Sequence, residues 1–320
     1  MSFLDFKSNV FLAPMAGITD RPFRTVVSEC LGHNLITEMV ATNAIQRKNP
    51  KSYQIANVKD EPYPTVVQLV GNSPELFADA AKLVADLGAK SIDINMGCPV
   101  KKIVNNNSGS ALMKDLPLAS AIIEQTVKAT PLKVSVKFRK GWDNEHINAV
   151  EFAKMCEQSG ASYLTVHGRT RSQGYTGIAD WNIIAEVKNA VKIPVIGNGD
   201  ITTPQQAKEK LDFSGVDGIM LGRAVLGNPW ILHQTEHYLQ TSELLASPDV
   251  AQIHKMLLRH LSLLVEYYGE RNGISVSRKY IGWYVKGLYE AKKFREQYTK
   301  LTLFTEAVDC INEYFAKVAV

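Results

Sequence analysis

The chain has 320 residues, 45% of them hydrophobic and 21% charged, with a formal net charge of +4. This composition excludes an intrinsically disordered chain and supplies enough apolar surface for one large domain and a smaller one. No apolar run is long enough to cross a bilayer, and Met1–Lys7 lacks the basic-then-apolar pattern of a secretory leader, so a cytoplasmic protein without a membrane partner is expected.

In chain order, strand-like apolar runs fall at Val10–Ala16, Leu35–Val40, Thr65–Val70, Ser91–Met96, Lys133–Phe138, Tyr163–His167, Pro194–Gly197 and Gly218–Leu221. Amphipathic helical stretches alternate with them, among them Pro74–Leu87, Pro117–Lys128 and Ile147–Gln158. Near-continuous apolar strands separated by helices imply a parallel sheet covered on both faces. Eight such units predict an α/β fold, a (β/α)8 TIM barrel, rather than an open doubly wound sheet. No G-x-G-x-x-G follows the first strand. The polar segment between Val40 and Pro64 reads as a long active-site loop.

Beyond the eighth unit the character changes. Ser247-Pro248-Asp249 is a linker and helix-start signal, and His254–Tyr267 and Val276–Tyr289 have helical periodicity, with Gly269 and Gly273 as a break. The expected organisation is a barrel over residues 1–240 and an all-helical domain over 241–320. Residues 1–250 carry 25 Lys+Arg against 25 Asp+Glu, whereas 251–320 carry 11 against 7 and 11 of the 27 aromatics, so the whole positive excess lies in the tail. The segment 278–295 concentrates Arg278, Lys279, Lys286, Lys292, Lys293 and Arg295 among aromatics, and Lys279, Trp283 and Lys286 share one helical face by i, i+4, i+7 spacing. Such a segment is either a solvated helix face or a phosphate-contacting surface.

In a barrel of this kind the chemistry sits where the carboxyl ends of the strands meet their loops. Polar or glycine residues end six strands: Gln68, Asn95 with Cys98, Lys137 with Arg139, His167, the run Gly197-Asn198-Gly199-Asp200, and Gly222-Arg223. Glycines after strands seven and eight let backbone N–H groups approach a phosphate. Each residue taken singly has a structural role open to it: Cys98 as a small buried apolar group, His167 as a satisfied core histidine, Arg139 as a partner for Asp143, the glycines as turn residues. Together they are a costly set of polar groups to bury without a ligand. The four cysteines, Cys30, Cys98, Cys156 and Cys310, are too scattered for a disulfide framework or a paired-ligand metal site, so reduced thiols and no metal are expected.

The stretches LAPMAGITDRPFR (12–24), QLVG (68–71), DINMGCP (93–99), SVKFRKGW (135–142), VHGRTRSQGYTG (166–177), IPVIGNGDI (193–201), GVDGIMLGRAVLGNPW (215–230) and SRKYIGWY (277–284) together resemble the tRNA-dihydrouridine synthases, and within them the bacterial B-type subfamily. The resemblance implies a barrel holding non-covalent FMN, reduced by NADPH, followed by a tRNA-binding helical domain, in a monomeric enzyme that reduces the C5=C6 bond of a D-loop uridine, position 17 by the subfamily likeness. It places Pro14, Met15, Ala16 and Gln68 against the flavin ring, Lys137 and His167 beside it, and Asn198, Gly199, Asp200, Gly222 and Arg223 at its phosphate. It makes Cys98 the acid that protonates C5 while reduced-flavin N5 delivers hydride to C6. A thiol, mostly protonated at neutral pH, suits that task. Asn95, Lys137 and Arg139 are expected on the uracil carbonyls, Tyr175 as a further base contact, and Arg278, Lys279, Trp283 and Lys286 on the tRNA. The loop from Lys101 to Lys114 is expected to close over the site. Tyr280 departs from the pattern, standing where the B-type element has histidine.

Overall fold

The computed structural model describes residues 8–31 and 34–318; Met1–Lys7, read above for targeting signals, lie outside them. Eight strands follow one another, β1 (Val10–Leu12), β2 (Leu35–Ala41), β3 (Thr65–Val70), β4 (Ser91–Met96), β5 (Val134–Arg139), β6 (Tyr163–His167), β7 (Val195–Asn198) and β8 (Gly218–Leu221). All pairings are parallel, in the order β1-β8-β7-β6-β5-β4-β3-β2. The remaining seam, between β1 and β2, is bridged by one side chain. Buried Asn34 donates through Nδ2 to the carbonyls of Ser8 (2.7 Å) and Val10 (2.8 Å), and its backbone carbonyl accepts from Leu12 N–H at 3.1 Å. This nearly closed, all-parallel sheet is the expected TIM barrel. Phe11, Ala13, Ile36, Val66, Tyr163, Ile196 and Met220 form a buried cluster drawn from six of the strand units.

Local sequence explains most element edges. Ser73, Asp115, Asp180 and Thr203 accept N–H groups in the first turns of the helices Pro74–Asp86, Leu116–Ala129, Trp181–Ala190 and Pro204–Ser214, which their loops feed. β1 stops earlier than its apolar run predicts, because Pro14 has no N–H for a ladder and Ile18 and Thr19 then turn back onto the Met15 carbonyl. The polar excursion after β2 is not an open loop: it folds into helices Thr42–Gln46 and Pro50–Ala56, the second capped by Asn49 through Ser52 N–H.

The described residues fall into two compact units, cut at Asp20/Arg21 and at Gly222/Arg223. The first is the barrel. The second takes everything from Arg223 onward, so the cut lies earlier than residue 240, and it also takes the helix Arg21–Leu31 between β1 and β2. The physical reason is an aromatic core: Phe23 of that helix stacks on Tyr280 with centroids 5.8 Å apart and lies equally near His260. The helix Val250–Tyr268 begins with a full capping box between Asp249 and Gln252, where the linker signal predicts a start.

Gly269 does separate this helix from the next, Glu270–Tyr284, but Gly273 lies inside the second helix. A Cβ at Gly273 would sit 2.6 Å from Val265 Cα, so the glycine is there for close helix approach and not as a break. That helix ends at Tyr284, leaving Lys286 in the following turn, so Lys279, Trp283 and Lys286 do not share one continuous helical face. Among the described residues no helix is long and apolar enough to cross a membrane.

Candidate active site

Strand register builds the site. Pairing aligns Gln68 with Asp93 and Asp93 with Ser135, then Asn95 with Lys137 one step further along, and Arg139 with His167 and His167 with Asn198. Cys98 follows β4 in a half-buried turn. Asn95 shapes that turn: its Oδ1 accepts from the backbone N–H of Gly97 (3.1 Å) and Cys98 (2.8 Å). The Cys98 carbonyl accepts from both the N–H (3.1 Å) and the hydroxyl (2.9 Å) of Ser110. Gly109, at φ +59°, allows this contact, since a Cβ there would meet Cys98 O at 2.9 Å. The loop expected to close over the site thus packs against Cys98 as the short helix Lys101–Val104 and the 3-10 turn Gly109–Lys114.

Two cations face the thiol. Burial pushes the Cys98 thiol above its ordinary value, against smaller opposing effects of the Val100 backbone, Arg139 and Lys137. The group is therefore a protonated thiol at neutral pH. Lys137 makes one hydrogen bond, to Asn198 Oδ1 at 3.2 Å, so two of its three N–H donors have no protein acceptor. Burial and Arg139 lower its pKa, while Asp93 and Cys98 oppose that shift. Arg139 is more committed. Its Nε donates to Gly97 O and its Nη1 to Thr170 O and Gly174 O, each at 2.9 Å, and no bond to Asp143 forms; that carboxylate holds His146 instead. Its guanidinium lies 5.8 Å from the ring of exposed Tyr175.

His167 Nδ1 accepts from Arg169 N–H at 3.2 Å, which puts the neutral ring's proton on Nε2. Asn198 donates to Met220 O at 2.8 Å. The carboxylate of Asp200 is bound twice by Arg169 Nη2 (2.8 and 2.7 Å) and once by Ala179 N–H (2.7 Å). Arg169, which the sequence offers as an alternative RNA contact, is almost wholly buried, and its Nη1, like Arg171 Nε, is buried without a hydrogen-bond acceptor. Orphaned buried donors of this kind mark a place for an anion or ordered water.

The glycines divide into two kinds. A Cβ on Gly197 would strike the Trp181 ring at 2.5 Å, and one on Gly199 would strike Ala179 Cβ at 2.5 Å, so internal packing already requires both. Gly222 is different: a Cβ there would meet Ala13 Cβ at 3.6 Å and Met15 Sδ at 4.0 Å, ordinary contact distances beside the Pro14–Ala16 turn, so internal packing does not require this glycine. Arg223 follows it as the exposed first residue of a 3-10 turn.

In the helical unit, Arg278 is half-buried and donates to Leu301 O at 3.3 Å, Lys279 Nζ lies 4.7 Å from the Tyr280 ring, Trp283 packs edge-on to Tyr280 at 5.4 Å, and Lys286 is exposed. Asp93 is the residue that sequence reading passed over. It is buried at 1% exposure, accepting from Gln68 Nε2 (2.7 Å) and Ser135 Oγ (2.6 Å), and the visible signal was a lone acid inside an apolar strand.

A family model described as dihydrouridine synthase matches residues 11–319. A probable tRNA-dihydrouridine synthase of Rickettsia bellii is 44% identical over 98% of this chain and 97% of its own, and tRNA-dihydrouridine synthase B of Pseudomonas aeruginosa is 40% identical over 97% and 93%. Histamine dehydrogenase from Rhizobium sp. 4-9 shares the fold alone, with a TM-score of 0.57 at 11% identity over 81% of this chain and 49% of that one. The match over nearly the whole chain, with the strand-end polar residues gathered at one barrel mouth, makes this protein a member of the dihydrouridine synthase family.

Proposed function

We propose that this chain is a flavin-dependent tRNA-dihydrouridine synthase that reduces the C5=C6 bond of a D-loop uridine, with Cys98 as the proton donor to C5. The observation that carries the reading is the half-buried thiol, protonated at neutral pH, fixed by Asn95 and Ser110 beside two cationic strand residues. Two features of the barrel mouth suit FMN: Gly222, a glycine that internal packing does not require, next to Met15, and Lys137 with donors to spare for ring carbonyls. Pro14, Met15, Ala16, Lys137 and His167 would hold the ring, and the backbone at Gly222 and Arg223 its phosphate. Bound FMN would supply hydride to C6, with NADPH as the source of electrons.

The chain's own residues do the rest. Lys137, two of whose donors have no protein acceptor, stabilises negative charge developing on the uracil oxygens. Arg139 acts mainly through the backbone, pinning Gly97 and the loop that carries Tyr175. Cys98 releases its proton to C5, and the nearby cations stabilise the thiolate left behind. A uridine stacked in RNA cannot reach this mouth, so the base must be turned out at a cost of about a few kcal/mol. The helical unit exposes Lys286, Lys292, Lys293 and Arg295, cations suited to tRNA phosphates. The test is to purify the protein, reconstitute it with FMN, and measure NADPH-dependent dihydrouridine in tRNA by mass spectrometry. A yellow protein that modifies one D-loop position is expected. Failure to bind FMN, or no dihydrouridine with any tRNA, overturns the reading.

A further inference from the structure

Asp93 touches neither the thiol nor the open mouth, yet it heads a continuous chain of side chains that ends at Cys98. We propose that Asp93 is a positioning residue: it sets the orientation of the Gln68 and Asn95 amides, and through them holds the Cys98 turn, an inference that rests on the reading of Cys98 as proton donor. The links are Gln68 Nε2 to Asp93 Oδ2 (2.7 Å), Asn95 Nδ2 to Gln68 Oε1 (2.8 Å), and the N–H groups of Cys98 (2.8 Å) and Gly97 (3.1 Å) to Asn95 Oδ1.

Each amide has the same shape when flipped, with donor and acceptor exchanged. Groups of one kind at the two ends break that degeneracy: the ionised Asp93 carboxylate, which only accepts, at the head, and the Gly97 and Cys98 N–H groups, which only donate, at the turn. Facing it, Gln68 must present its nitrogen, so its oxygen faces Asn95; Asn95 must then present its nitrogen to Gln68 and its oxygen to the turn. Reversed, Asn95 would point an NH2 at two backbone N–H donors and the turn would lose its anchor. Ser135 holds the second Asp93 oxygen at 2.6 Å, and the Gln68 backbone N–H is held by Thr37 Oγ1 at 3.1 Å, so the head of the chain is fixed. Gln68, expected from the family likeness to touch the flavin ring, has both ends of its amide engaged inside this chain.

The polarity can be broken and then restored. Gln68→Glu sets carboxylate against carboxylate and displaces the middle of the chain. Adding Asp93→Asn lets the new amide at position 93 donate to the new carboxylate at position 68, whose other oxygen still accepts from Asn95. Full-length variants are compared by the rate at which iodoacetamide alkylates Cys98, read by peptide mass spectrometry, and by kcat and KM for tRNA. The single variant should alkylate about fivefold faster and lose about tenfold or more in kcat with KM little changed, as misplacement of a reacting group implies. The double variant should return both to within about threefold of wild type.

A double variant as impaired as the single overturns the relay, as does a single variant indistinguishable from wild type; Gln68 acting only as a flavin contact gives the first of these. If the single variant does not fold, the double decides alone: slow, wild-type-like alkylation supports the relay, and unfolding or fast alkylation overturns it. A wild type that makes no dihydrouridine would fail the functional reading while the alkylation pattern still tested the chain.

Discussion

The barrel and the helical unit treat their buried polar groups in opposite ways. In the barrel they are linked into chains: Asp93, Gln68 and Asn95 run to Cys98, Lys137 and Asn198 run to Met220 O, and Arg169 clasps Asp200. In the helical unit the core is aromatic. Phe23, His260 and Tyr280 pack together, as do Phe294 and Tyr314 at 4.1 Å, and the buried Ser277 hydroxyl bonds Ile274 O and the Tyr298 hydroxyl without extending into a longer chain. The barrel therefore presents donors held in place before any ligand arrives, which is what stabilising a developing charge demands. The helical unit presents Lys286, Lys292, Lys293 and Arg295 at the surface, where they act at longer range and are screened by salt.

The sharpest test of this contrast is Cys98→Ala. Dihydrouridine formation should fall by ~10²–10⁴, the range for a lost general acid, while FMN content and reduction by NADPH stay at wild-type levels. A variant that modified tRNA normally would return Cys98 to a packing role and remove the barrel's claim to the chemistry.

The second test acts on the other unit. Burial, with Lys279 nearby, lowers the His260 pKa from 6.5 to about 3, so the folded state keeps this ring neutral. Its contribution is fully present above pH 6.5 and is lost as pH falls through the window toward 3, where the unfolded chain binds a proton that the folded chain refuses. The loss over that window is of order 5 kcal/mol. Hydrogen exchange resolved by region should show the segments around His260 losing protection between pH 6.5 and 4, and His260→Phe should flatten that loss. An unchanged pH dependence in the variant would show that another group governs it.

A smaller effect is expected from Gly273→Ala. With the Val265 backbone 2.6 Å from the new Cβ, the two helices must move apart, at a cost of about 1–3 kcal/mol. Thermal melting should fall by several degrees while FMN affinity is retained; loss of FMN at unchanged melting would contradict the separation of roles. The mildest change is Lys279→Ala, Lys286→Ala and Lys293→Ala together. Apparent KM for tRNA should rise and the slope of log affinity against log salt should flatten by about one per lost phosphate contact. Unaltered affinity and slope would move RNA binding to the barrel's own cations, among them Arg171, with its unsatisfied Nε.

The barrel was legible because its signals are local and repeated. β3, β4, β6 and β8 are apolar runs of the predicted length and position, and four helices begin at capping residues visible in the chain. The candidate site was legible as a set of residue types at strand ends, since strand order alone puts those ends at one mouth. Its internal wiring was not. Gly199 and Gly222 look alike in the sequence, and only Ala179, 2.5 Å from where a Cβ on Gly199 would sit, makes the first a packing requirement while the second is not. Arg139 has the same letters whether it reaches a substrate or three carbonyls.

By itself, the sequence determined the eight-unit barrel, the helical tail with its charge excess, and Cys98 as the thiol at the end of β4, because period, capping and composition are properties of neighbouring residues. The tertiary structure decided which polar groups meet. Gln68 lies 25 positions from Asp93, Asp93 lies 42 from Ser135, and Arg169 lies 31 from Asp200. The helix Arg21–Leu31 belongs to a unit whose other members start two hundred residues later in the chain, at Arg223. Hydrogen bonds of 2.6–2.8 Å between such residues depend on strand register and side-chain direction, and those exist only once the sheet has closed.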